Sequence, residues 1–288
     1  MSDWYQIESN QVIVQVVSKG AELKRLFNKV WNKEMLWLGD EKLWNRSAPI
    51  LFPVVGSLID NEFIFDEKTY TLSRHGFARD QEFICKHCGE NELEFLLMTN
   101  KEMYKTFPFV FELLVHYRIV DSTLSVTYTV KNLDKKDIFF SIGAHPGFDL
   151  KISENYEIIF EREQKNYFQL NENGQVKLEE PIEFQQKNLN ITKDLFKKDA
   201  LIFKDSKLKA IELRDKKSKD AVVVRCNQAT FWGIWGHPSN QFVCIEPWSG
   251  VSDIVGHNKK IEEKLGIIKL SPGAEYKFQF EIEQSKVL

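Results

Sequence analysis

Two dipeptides in this 288-residue chain set an ionisable side chain directly before a proline at the end of an apolar run. One is His145-Pro146, within Gly143-Ala144-His145-Pro146-Gly147-Phe148; the other is Glu246-Pro247, within Cys244-Ile245-Glu246-Pro247-Trp248-Ser249-Gly250. Proline cannot extend a β-ladder and restricts the residue before it to extended backbone, so both side chains are presented rigidly at strand ends. An imidazole and a carboxylate held in this way suit general acid–base catalysis, which needs donor and acceptor brought to about 3 Å. Two more segments carry polar groups in irregular surroundings. Arg74-His75-Gly76-Phe77-Ala78-Arg79-Asp80 sets a histidine between two arginines, and in Trp44–Gly56 two prolines and a glycine flank an apolar run, which reads as an irregular edge. Taken singly, a His-Pro or a Glu-Pro is an ordinary loop feature. Residue types and spacing alone support a β-sandwich with a His/Glu site.

The elements that must position these residues read as strands. Phe111, Leu113, Val115, Tyr117 and Ile119 share one face of an alternating run; Leu124, Val126, Tyr128 and Val130 share one face of the next, with Asp121-Ser122 as turn between them. Tyr276, Phe278, Phe280 and Ile282 form another alternating run after the Pro272-Gly273 turn. Further strands are expected over 12–17, 62–65, 69–72, 93–98, 138–142, 157–161, 210–214, 221–226 and 242–246. Helical signals are confined to Thr192–Lys198 and to Lys259–Leu265, the latter ended by Gly266. The expected fold class is therefore all-β, with large antiparallel sheets packed face to face. No Pro-, Gly- or Ser-rich linker divides the chain, so residues 1–288 read as one domain.

Composition narrows the partners. Aromatics make up 13% of the chain and include 22 Phe, which suits a broad pleated core and leaves rings for a sugar-stacking wall. The 39 basic and 42 acidic residues are interspersed, with no stripe to follow a phosphate backbone, so no nucleic-acid partner is expected. No stretch approaches the ~20 apolar residues that span a bilayer, and no secretion signal is visible at the N-terminus; with four cysteines in so long a chain, a reducing cytoplasm is the expected location.

Read together and in order, the motifs resemble those of the aldose 1-epimerase (galactose mutarotase-like) family, in particular its LacX branch. They are Pro49-Ile50-Leu51-Phe52-Pro53 with Gly56, His75-Gly76-Phe77-Ala78-Arg79, the His145 and Glu246 segments, Lys198-Asp199-Ala200-Leu201, Phe231-Trp232-Gly233-Ile234-Trp235 and the Pro272-Gly273 turn. The resemblance implies a large antiparallel sandwich that exchanges the α and β anomers of an aldose, or of a sugar phosphate, with no metal or cofactor. It implies His145 as general acid and Glu246 as general base, with His75, Arg46, Arg79, Asp199 and Trp235 binding substrate. Where galactose mutarotases carry an arginine after a glycine, Ser57 follows Gly56 here, so Arg46 or Arg79 is expected to substitute. The pH–rate profile implied is a bell, with nearby carboxylates raising the His145 pKa. Monomer and homodimer both remain open.

Two rival functions stay in view. A non-catalytic carbohydrate-binding protein would need the rings but not the acid–base pair. A glycoside hydrolase would need two carboxyls, for which Asp253 or Asp199 would have to join Glu246. Among other candidates, Cys85-Lys86-His87-Cys88 could complete a thiolate zinc set only with Cys226 and Cys244, far along the chain, and lacks the βαβ context of a redox motif, so cysteines near a strand end are the expected reading. His116 reads as a surface or satisfied histidine, His257 as surface, and His237 as a candidate pocket residue. For Trp248 and Phe148, sugar stacking and core packing are both open.

Overall fold

The computed structural model describes residues 2–150, 155–192, 194–239 and 241–286. Among them, a nine-stranded antiparallel sheet runs in the order Ile182–Asn190, Tyr156–Tyr167, Ala210–Asp215, Asp220–Arg225, Glu275–Lys286, Thr123–Asn132, Phe111–Val120, Glu92–Met98 and Ile84–Cys88. The expected hairpin forms its sixth and seventh strands: Val120 pairs with Thr123, and Asp121 takes the left-handed conformation (φ 52°) that a tight hairpin turn uses. Its alternating residues Phe111, Leu113, Val115, Tyr117 and Ile119 are all buried, as are Leu124, Val126, Tyr128 and Val130. A four-stranded sheet is formed by Trp4–Glu8, Val12–Val17, Glu22–Asn28 and Lys33–Glu34.

A third, shorter sheet carries the residues of interest. Its order is Leu201–Lys204, Phe231–Trp235, Phe242–Trp248, Gly143–Ala144 and Ile50–Leu51, with Gly147–Asp149 also pairing with Phe242–Trp248. Phe242–Trp248 is buried along its whole length, and period-two geometry sorts its residues. Val243 and Ile245 join the main core, which also holds Phe52, Phe111 and Phe140. Phe242 and Cys244 pack on the other side with Trp37, and Trp248 joins a separate cluster with Leu51 and Phe231. Glu246 lies on that second face, between the two smaller clusters.

Some local expectations are corrected. The strand expected over 138–142 stops at Phe140 and pairs with Ile268–Leu270 alone; beyond it, the Ser141 amide bonds the Pro53 carbonyl. The helix expected over Lys259–Leu265 is a single 3-10 turn, Ile261–Glu263. The segment expected to be helical over Thr192–Lys198 contains residue 193, which lies outside the described residues, and 194–198 form turns. A short helix that periodicity did not indicate, Lys101–Thr106, is capped by the Asn100 side chain, which accepts from the Glu102 and Met103 amides. Among the described residues, no helix is long and apolar enough to cross a membrane.

Candidate active site

Strand register brings His145 and Glu246 together. Gly143 pairs with Trp248 and Gly147 with Cys244, so position 145, between the two short strands, falls opposite Glu246. Pro146 has no N–H to give, and the ladder is interrupted where the imidazole turns toward the carboxylate. His145 Nε2 lies 3.2 Å from Glu246 Oε2. Both are buried, Glu246 at 1% exposure and His145 at 8%.

The Trp248 indole completes the arrangement, its Nε1 donating to Glu246 Oε2 at 3.2 Å. The ring lies flat only because two neighbours lack side chains. A Cβ at Gly233 would sit 2.4 Å from the indole, and one at Gly143 would sit 2.6 Å from it. Trp44, Trp235 and His75 surround the His145 imidazole, with ring centroids at 5.0, 5.6 and 5.7 Å. These groups line a hollow of about 280 Å³, together with Arg74, Arg79, Asp199, Ala200, Glu246 and Trp248.

His75 is fixed by backbone. It takes a left-handed conformation (φ 68°), its N–H donates to the Gly56 carbonyl, and its Nδ1 accepts from the Gly56 N–H at 3.1 Å. On the other side of the ring, Arg74 Nε donates to His75 Nε2 at 3.2 Å, so both ring nitrogens face N–H donors, and a neutral imidazole has one lone pair with which to meet them. Burial, then Arg74, keeps the His75 pKa well below the usual histidine value. Asp199, also at positive φ (69°), accepts from both terminal nitrogens of Arg74, at 3.1 and 3.4 Å.

The electrostatics correct one expectation. Burial, reinforced chiefly by Arg74, lowers the His145 pKa to about 3; neighbouring carboxylates do not raise it. Burial likewise raises Glu246 well above the carboxylate range, against the pull of Arg74 and of the Trp248 hydrogen bond. Both residues therefore favour their neutral forms, and the contact is a pair sharing one proton.

Of the residues expected from sequence, His145, Glu246, His75, Arg79, Asp199 and Trp235 line this hollow. Arg46 lines an adjoining groove that shares Trp44 and Arg79 with it, and is held by Asp80 at 2.6 Å. Arg74, one of the two arginines flanking His75 in sequence, lines the hollow as well. Trp44 was not expected as a substrate contact; it arrives on an irregular loop with no periodic pattern. Ser57 and His237 are not among the lining residues, and His237 Nδ1 instead faces Ser239 Oγ at 2.9 Å. The His257 side chain, expected at the surface, is tucked 3.5 Å from Asp253. Asp253 itself is bound by Lys264 and by the Ile59 amide, away from the hollow. That removes one of the two carboxyls a hydrolase would have used. Phe148 is core, and His116 is satisfied by Glu92 at 3.4 Å.

The fold is a large antiparallel sandwich whose aromatic-walled hollow holds His145 and Glu246. The chain belongs to the aldose 1-epimerase family, whose model matches residues 3–283. It is 29% identical over 283 residues to the chromosomally encoded protein LacX of Lactococcus lactis subsp. lactis, covering 93% of this chain and 94% of that protein. Among solved structures it is similar to a galactose mutarotase related enzyme from Lactobacillus acidophilus, at 30% identity and TM-score 0.93, with 99% and 98% of the two chains covered. The galactose 1-epimerase of the same organism shares the fold at 12% identity and TM-score 0.73, with 100% and 99% covered.

Proposed function

We propose that this protein is an active aldose 1-epimerase in which His145 and Glu246 exchange protons with a hemiacetal. The observation that carries this reading is the 3.2 Å contact between these two buried side chains at a hollow lined by aromatic and charged residues. Anomer exchange requires the C1 hydroxyl to lose a proton while the ring oxygen gains one. These two oxygens are bonded to the same carbon, so an adjacent acid and base can serve both. With the shared proton on His145, Glu246 takes the O1 proton and His145 protonates the ring oxygen. The ring opens, C1 rotates about its bond to C2, and closure on the other face reverses the two roles. Starting with the proton on Glu246 exchanges the assignments and leaves the chemistry unchanged. Arg74 donates to sugar oxygens, His75 and Asp199 hold Arg74, and Trp44 and Trp235 offer faces on which the sugar ring stacks. The protein is read as cytoplasmic, in keeping with its four free cysteines.

Polarimetry tests the proposal. Freshly dissolved α-glucose or α-galactose should lose its excess rotation faster with the protein present, and disaccharides should stay intact. Saturable binding with no acceleration for any aldose would instead establish a carbohydrate-binding protein. A second reading of the substrate, an aldose bearing an anionic group such as a 6-phosphate, is favoured by a specific observation. Arg74 and Arg79 both line the hollow, where their guanidinium charges would face an anionic substituent. The test panel therefore includes phosphorylated hexoses beside neutral ones.

A further inference from the structure

One reactive group at the site has no part in ring opening. Cys244 stands two residues before Glu246 on the same strand, so its side chain emerges on the same face. Its Sγ, a nitrogen of His145 and a carboxylate oxygen of Glu246 all lie within 4.8 Å of one another, and all three residues are buried. The thiol is free and is not part of the lining of the hollow. The His145 side chain is nine-tenths buried, and its Nδ1 has no hydrogen-bond partner among the described residues.

We propose that His145, Cys244 and Glu246 form a binding site for a thiophilic divalent cation of the zinc class, and that occupation of this site switches the hollow off. Tetrahedral zinc holds sulfur at about 2.3 Å and nitrogen or oxygen at about 2.0–2.1 Å, so its donor atoms sit roughly 3.3–3.6 Å apart. The existing 3.2 Å between His145 Nε2 and Glu246 Oε2 needs an adjustment of only a few tenths of an ångström, and Cys244 Sγ, within 4.8 Å of the other donors, closes by up to about 1.2 Å through side-chain rotation. A thiolate and a carboxylate balance the two positive charges of the ion, which leaves the buried site neutral with a neutral imidazole as third ligand. Binding releases two protons, one from the thiol and the one the His/Glu pair shares. The fourth position faces the hollow and takes water. With the lone pairs of both His145 and Glu246 committed to the ion, neither residue can carry a proton to or from the sugar. The inhibitory consequence rests on the epimerase reading; the metal site does not.

The test uses the full chain carrying Cys85→Ser and Cys88→Ser, so that the two more accessible thiols do not contribute. Addition of Co2+ should produce the near-ultraviolet sulfur-to-cobalt charge-transfer band, and Zn2+ should bleach it. The band should vanish when Cys244→Ser or Cys244→Ala is added, with circular dichroism confirming that each variant is folded. Zn2+ should also suppress anomer exchange. Relative to its own metal-free rate, the Cys244→Ser protein should need at least about tenfold more Zn2+ for the same suppression. No band in a large excess of Co2+, a band that survives both Cys244 variants, or unchanged Zn2+ sensitivity in Cys244→Ser would each overturn the proposal. If the metal-free protein exchanges no aldose, the epimerase reading fails, and the cobalt band still decides the metal site.

Discussion

His145 and Glu246 hold one proton between them, and burial acts on the two groups in opposite directions. His145 is pushed down to about 3 and Glu246 well above its ordinary 4.5. The pair gains a second proton only in strong acid and loses its last one only above the carboxylate range. The activity profile should therefore be a wide bell with a plateau between those limits. Glu246→Gln should abolish the alkaline limb along with most of the activity, as measured by polarimetry at each pH. Stability follows from the same shifts. The Glu246 contribution is present below 4.5 and is lost as pH rises through its raised value. The His145 contribution is present above 6.5 and is lost as pH falls toward about 3. Between about 4.5 and 6.5 the two slopes cancel, so the pair stabilises most there. Melting curves of the wild type minus those of a His145→Asn/Glu246→Gln double variant should peak in that window, and a difference that rises steadily with pH would refute the neutral pairing. The identity of the pair was legible in the sequence because proline follows each residue. Its electrostatics were not, because Arg74, Arg79 and the depth of burial come from segments far apart in the chain.

At the scale of elements, the site depends on the register that sets 145 opposite 246 and on the space left for the Trp248 indole. Gly233 pairs with Glu246 and lies under that ring. Gly233→Ala places a Cβ where the indole now sits. It should cost about 1–3 kcal/mol in urea denaturation and lower activity through loss of the indole hydrogen bond to Glu246. Trp248→Phe keeps the ring but removes the donor. It should raise the Glu246 pKa further and move the alkaline limb upward, while the folded circular dichroism spectrum is retained. The half-buried strands announced themselves by alternation, as in Phe111–Val120. Phe242–Trp248 is covered on both faces, so its first four residues, Phe242–Ile245, are all apolar and show no alternation, and the side on which Glu246 lies could be known only from the clusters it packs between.

On the scale of the whole molecule, the hollow sits where the third sheet meets loops from distant parts of the chain. Away from the hollow, Lys264 and Asp253, whose side chains are each 1% exposed, clamp the segment that follows Trp248 at 2.9 Å. Lys264 also donates to the Val251 carbonyl, and Asp253 accepts from the Ile59 amide, tying the segment after Trp248 to the one after Gly56. Lys264→Met leaves Asp253 buried without its cation and should cost roughly 3–5 kcal/mol in urea, the range typical for one orphaned partner of a buried pair. An unchanged midpoint would show that the clamp is not needed. The all-β class was plain from the alternating runs and sparse helical signals. The loop clamp was not, because Asp253 drew notice only as a possible partner carboxyl for Glu246 and no periodic pattern relates it to Lys264.

The most direct measurement is exchange NMR of an aldose at anomeric equilibrium, where magnetisation passes between the α and β C1 signals only if the ring opens and closes. Across a panel of neutral and phosphorylated hexoses, the wild type should accelerate that exchange for at least one sugar. His145→Asn and Glu246→Gln should each slow it by about 10²-fold or more while still binding the same sugar. Exchange that proceeds undiminished in both variants would contradict a shared-proton pair as the agent of ring opening.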